Sequence, residues 1–159
     1  MITQIKTSHS SAVKRIYNHY VNNSAFTFSG QEMSDEEAAE LVAYGIKYAG
    51  FIIKDKKAIV GFGIAYPFRH EILFRHTIKL TYFLSPGYTG KGYGSELFTR
   101  LHNELQKKGY KNILVNISSL NKASIRFHKK LGFKKCGDFK DIGSIDQQKI
   151  SMIWMQKEI

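Results

Sequence analysis

Three glycines at alternate positions stand between a strand-like apolar run and a helix-like one in Tyr88-Thr-Gly-Lys-Gly-Tyr-Gly-Ser-Glu-Leu97. Lacking Cβ atoms, Gly90, Gly92 and Gly94 let the main chain approach a ligand closely and aim its amides, and the following helix adds the positive end of its dipole. Such a loop is a place for phosphate groups. Further along, Asn121, Ser124 and His128 recur at i, i+3 and i+7, which sets an amide, a hydroxyl and an imidazole on one face of a short helix. With a reference pKa of ~6.5, that imidazole can donate to a departing group or take a proton through water. A neighbouring carbonyl could equally satisfy it.

Glycine-rich loops that join a strand to a helix also occur in dinucleotide and nucleoside-triphosphate folds. The dinucleotide form places the loop after the first strand, with an acidic residue ~20 positions on. Here the loop lies halfway down the chain, and it lacks the Gly-Lys-Ser or Gly-Lys-Thr ending of a P-loop. Both nucleotide readings lose weight.

The elements that position these residues follow from periodicity. Residues 1–6 read as a first strand, and a helix from Ser8 to Val21 carries Val13, Ile16, Tyr17 and Tyr20 on one face. Ser34-Asp-Glu-Glu37 is a capping box ahead of a helix striped by Ala38, Leu41, Val42, Gly45 and Ile46. Two strands, Phe51–Ile53 and Ala58–Tyr66, flank a polar turn. Thr77–Leu84 is nearly apolar on both faces, which implies a central place in the sheet. Leu97, Phe98, Leu101 and Leu105 mark a helix ending at Gly109, and Lys111–Ile117 is another buried strand. Asn121 caps a helix that Gly132 closes, and Phe133–Phe139 and Ile150–Gln156 complete the sheet. Interleaved strands and helices predict an α/β (α+β) fold, with a mixed central sheet of about seven strands and helices on both faces.

Length and composition set the limits. The 159 residues suit one domain, 1–159, and the 43% hydrophobic content with two prolines is that of a globular chain. No apolar run is long enough to span a bilayer and no signal-peptide layout is present, so a cytoplasmic protein is expected. The single cysteine, Cys136, excludes an internal disulfide framework and a Cys-rich metal site, and reads as a buried thiol or a reactive one. The net charge of +11 predicts attraction to anions. Its sum leaves open whether they belong to nucleic acid or to a phosphate-bearing cofactor. The basic residues are scattered rather than gathered in a tail, and several close helices, which argues against a nucleic-acid module.

The glycine loop, followed by Asn121-Lys-Ala-Ser-Ile-Arg-Phe-His-Lys-Lys-Leu-Gly-Phe133, resembles the GNAT N-acetyltransferase superfamily. Over nearly the entire chain the resemblance extends to the phosphinothricin acetyltransferase group, on Ile16-Tyr-Asn18, Ser24-Ala-Phe-Thr-Phe28, Tyr66-Pro-Phe-Arg69, Phe74-Arg-His-Thr77 and Trp154-Met-Gln156. It implies an enzyme that transfers the acetyl group of acetyl-CoA to a primary amine, the α-amino group of a small amino acid such as phosphinothricin or methionine sulfone, without a metal. A homodimer is implied too. The cofactor would lie against Phe83, Leu84, Thr89, Gly90, Lys91, Gly92, Tyr93, Gly94, Ser95, Asn121 and Ser124. His128, the implied catalytic residue, stands where many members of the superfamily have a tyrosine proposed as general acid and where the phosphinothricin group has a histidine.

The chain also departs from that group. Lys79 stands where relatives carry a glutamate proposed as base, and a lysine can replace it only if burial lowers its pKa strongly. Lys79 could instead bind a carboxylate of the acceptor, or mark a non-catalytic acyl-CoA-binding protein. Thr89 replaces a common Gln or Arg, and Ser144–Lys149 lacks the usual aromatic residues. Arg69 and Arg75 are candidates for two-point carboxylate binding, in a stretch with His70, Glu71, Phe74 and His76. Phe26, Thr27 and Phe28 lie in the loop that borders the acceptor site in the group, or under it as core.

Overall fold

One mixed sheet of seven strands organises the computed structural model, which describes residues 1–159. In chain order its parts are β1 (Ile2–Gln4), α1 (Ser10–Asn23), α2 (Asp35–Lys47), β2 (Ala49–Asp55), β3 (Ala58–Pro67), β4 (Thr77–Leu84), α3 (Tyr93–Lys107), β5 (Asn112–Ser118), α4 (Lys122–Lys130), β6 (Lys134–Ile145) and β7 (Gln148–Glu158). The strand order is β1-β2-β3-β4-β5-β7-β6, so β4 is central as its sequence predicts. Only β4 and β5 pair in parallel, through the crossover that contains α3. None of the helices is long and apolar enough to cross a membrane.

The β4–β5 pairing is short. It runs from Thr77 opposite Asn112 to Lys79 opposite Leu114, whereas β4 pairs with β3 from Ile78 to Leu84 and β5 pairs with β7 along its whole length. From Leu80 onward the two central strands therefore part, and a wedge opens toward their carboxyl ends. Each strand is left with one main-chain edge free of a strand partner. In open α/β sheets the carboxyl ends of parallel strands are where ligands bind.

Two apolar layers hold this geometry. On one face α1 and α2 bury Val13, Ile16 and Val42 against Ile52, Phe62 and Ile64. On the other, α3 inserts Leu97, Leu101 and Leu105 against Ile78, Leu80, Ile113, Val115 and Met155. The capping box forms as read: the Ser34 hydroxyl accepts from Glu37 N–H at 3.1 Å, and Ser34 N–H donates back to the Glu37 carboxylate at 2.7 Å. Gly109 and Gly132 end α3 and α4 in the left-handed region, at φ +80° and +88°.

Several expectations shift. β2 begins at Ala49, two residues before the expected Phe51, and includes Gly50, which lies so close to Gly45 of α2 that a Cβ there would come within 2.7 Å of the Gly45 Cα. Small residues hide a strand start from a hydrophobic pattern. β6 extends to Ile145 past irregularities in its register with β7, where Asp141 has φ +54°. As β6 is a sheet edge, Cys136 is exposed and the expected buried thiol is not found. β4 is not buried on both faces: Ile78 and Leu80 are enclosed, while Lys79 and Thr81 are half-buried on the opposite side.

Candidate active site

The loop after β4 divides its glycines by task. Gly90 and Gly92 have φ of +74° and +87°, and a Cβ on either would meet nothing within 4 Å. What they supply is backbone conformation, not room. Gly94 lies within the first turn of α3, and a Cβ there would stand 3.3 Å from the Phe127 ring of α4. Its missing side chain lets the two helices meet. The N–H groups of Gly90, Gly92, Tyr93, Gly94 and Ser95 find no acceptor in the protein. They form a row of free donors at a helix N-terminus, where the dipole favours an anion. Thr89 and Lys91 are exposed beside them, with the Lys91 ammonium 5.2 Å from the Tyr88 ring centre.

On α4, the Asn121 side chain accepts from Ser124 N–H at 3.1 Å, so its oxygen serves as the helix cap. His128 is only 4% exposed. Its Nδ1 lies 2.7 Å from the Ser124 carbonyl, which can only accept, so this nitrogen carries the hydrogen. Nε2 then accepts from the Tyr82 hydroxyl, a tautomer assigned from the hydrogen-bond network. The rings of Tyr82, Phe127 and Phe133 surround the imidazole with centres 5.4, 5.4 and 5.1 Å away. Burial lowers the His128 pKa to about 4, against the opposing pull of the Ser124 carbonyl. The group is therefore neutral near pH 7. Burial likewise pushes the Tyr82 phenol up.

Tyr82 was not among the sequence candidates. Its signal was available in the period of two: it follows Ile78 and Leu80 onto the enclosed face of β4, where a tyrosine hydroxyl must find a partner. The adjacent Phe83 points the other way and packs on Tyr17, Tyr20 and Phe62. The carbonyl of Leu84 accepts from Tyr20 Oη at 2.7 Å.

On the face opposite His128, the Lys79 ammonium stands 5.3 Å from the Tyr66 ring centre and 5.1 Å from that of Trp154. No carboxylate pairs with it, since the ion pairs of the chain involve Lys14, Arg69, Lys108 and Lys135. Burial lowers its pKa. Trp154 packs on Phe68, Phe68 on Phe74, and the Arg69 guanidinium lies over Phe74 at 5.8 Å. The Trp154 indole N–H is buried without an acceptor. Arg69 is not a free clamp, because its Nε donates to Glu71 at 2.9 Å and the pair holds the Glu71 carboxyl down to about 2. Arg75 Nη1 donates to the Ile72 carbonyl at 3.1 Å. Phe28 is 41% exposed, so it is not core, whereas Phe26 stacks on Tyr20.

A split β4–β5 seam beneath a free-amide loop and a capped α4 defines an acyltransferase type of α/β protein. Residues 13–133 match the model of the acetyltransferase (GNAT) family, and the chain belongs to that family as an N-acetyltransferase. It is 23% identical to a phosphinothricin N-acetyltransferase of Streptomyces coelicolor, over 91% of this chain and 87% of the relative. Identity is 26% with an L-methionine sulfoximine/L-methionine sulfone acetyltransferase of Salmonella typhimurium, over 93% and 88%. Its fold is that of a GNAT-superfamily phosphinothricin acetyltransferase from Sinorhizobium meliloti, solved in complex with acetyl-CoA. That match has a TM-score of 0.93 at 24% identity and covers 100% of this chain and 88% of that one.

Proposed function

We propose that this chain transfers the acetyl group of acetyl-CoA to the α-amino group of a small amino acid or a close analogue of the phosphinothricin or methionine sulfone type. The observation that carries the reading is the row of unpaired amides at Gly90, Gly92, Tyr93, Gly94 and Ser95, directly beside the gap between β4 and β5. These donors fit a diphosphate. Thr89 and Lys91 flank it, and the main chain at Phe83 and Leu84, with Asn121 and Ser124, lines the path of the pantetheine arm.

When bound, acetyl-CoA supplies an activated thioester. The residues have then to align an amine with it, accept the amine proton and hold the acceptor in place. Alignment can supply ~7 to 11 kcal/mol, more than a typical acid or base. His128 is neutral and offers Nε2 to Tyr82, so it serves as a proton acceptor reached through that hydroxyl. Lys79, unpaired by any carboxylate of the chain, holds the acceptor's carboxylate, and Phe28, Phe74 and Arg69 border the same pocket. On this reading the carboxylate end of the acceptor lies on the Trp154 side of the sheet and its amine points into the gap between β4 and β5.

The test is thiol release from acetyl-CoA across a panel of amino acids, amino-acid sulfones and polyamines. Turnover is expected on acceptors that bear both an α-amine and a carboxylate. A protein that binds acetyl-CoA tightly yet acetylates no amine contradicts the reading.

A further inference from the structure

Lys79 brings its own amine to the mouth of the gap between β4 and β5. It is the last residue of β4 in register with β5, opposite Leu114, and the gap between the strands opens at the next position. Its side chain rises on the face of Tyr66 and Trp154, whose ring centres lie 5.3 and 5.1 Å from Nζ. With no carboxylate beside it to hold the ammonium form, burial shifts the balance toward the free amine. The two ring faces attract the ammonium, whereas burial favours the neutral amine that can act as a nucleophile.

We infer that Lys79 is itself an acetyl acceptor, modified by acetyl-CoA bound in the gap whenever no acceptor amine occupies the pocket. The inference rests on the placement of acetyl-CoA proposed above. In the step, Nζ bonds to the acetyl carbon as the carbon–sulfur bond breaks. Of the ammonium's three protons, one leaves to solvent before attack, one ends on the departing sulfur, and one remains on the new amide. The product is Nε-acetyl-lysine and free CoA thiol, with no change in oxidation state. Acetylation removes the positive charge and adds bulk between Tyr66 and Trp154. It thereby closes the acceptor pocket, so the enzyme is inactivated by its own cosubstrate, and a bound acceptor protects it.

The experiment incubates the whole folded chain with acetyl-CoA alone and follows acetylation of each lysine by peptide mass spectrometry, with calorimetry of acetyl-CoA binding in parallel. Lys79 is expected to react at least about tenfold faster than the exposed Lys57 and Lys149, since alignment raises the rate of a held pair. That excess should vanish in heat-denatured protein, fall in Gly92→Val, and be suppressed by an accepted amino acid. Acetyl-CoA that binds while Lys79 reacts no faster than Lys57 overturns this inference and leaves the proposed function standing. Acetyl-CoA that fails to bind overturns both. Loss of the modified peptide in Lys79→Arg confirms the assignment of the site.

Discussion

Burial keeps the imidazole of His128 neutral, and the Ser124 carbonyl fixes which nitrogen bears the hydrogen, which leaves Nε2 for the proton-accepting role proposed for it. His128→Phe leaves the Tyr82 hydroxyl without its partner, and turnover should fall by about 10²-fold, the low end for an acid–base group, with acetyl-CoA affinity little changed. An undiminished rate would make the residue structural. The same burial couples the fold to pH. Its folded pKa of about 4 lies below the ordinary 6.5, so the contribution is full above pH ~6.5 and is lost as pH falls toward 4. Between pH 7 and 4 this should cost the native chain about 3 kcal/mol that His128→Phe does not lose. Urea unfolding at both pH values reads it, and equal losses in the two proteins would contradict the buried neutral state.

At the scale of elements, the loop and the two helices it feeds explain what the pattern could and could not reveal. Alternating glycines between a strand and a helix were legible, as were Asn121 as a cap and Gly109 and Gly132 as helix ends, because these are local backbone requirements. The difference between Gly92 and Gly94 was not, since it depends on Phe127 arriving from another helix. Gly92→Val should place a branched side chain at φ +87°, weaken acetyl-CoA binding by at least about tenfold, and cost the fold only about 1 to 2 kcal/mol. Gly94→Val should press on Phe127 and lower stability and affinity together. Calorimetry and thermal unfolding separate the two, and unchanged affinity in a folded Gly92→Val protein would refute the phosphate placement. The pairing of Tyr82 with His128 is not legible in the pattern for the same reason, as it joins residues 46 apart.

Across the whole molecule, a mixed sheet with helices on both faces followed from the interleaved pattern, whereas the full strand order did not, and the central place of β4 was readable from its apolar run. Its early parting from β5 was not, because no residue type marks where two strands separate. The charge of +11 suits a protein that captures an anionic cosubstrate. For the homodimer that the resemblance implies, sedimentation should give twice the chain mass of 18.2 kDa, and a monomer at assay concentration would contradict it. Every proposed role depends on where the cosubstrate lies, so the most direct test is a crystal structure with acetyl-CoA. The diphosphate should sit within hydrogen-bond distance of the amides of Gly90, Gly92, Tyr93, Gly94 and Ser95, with the acetyl carbon between β4 and β5 facing Lys79. A diphosphate bound away from that loop, or an acetyl group outside the gap, would contradict it.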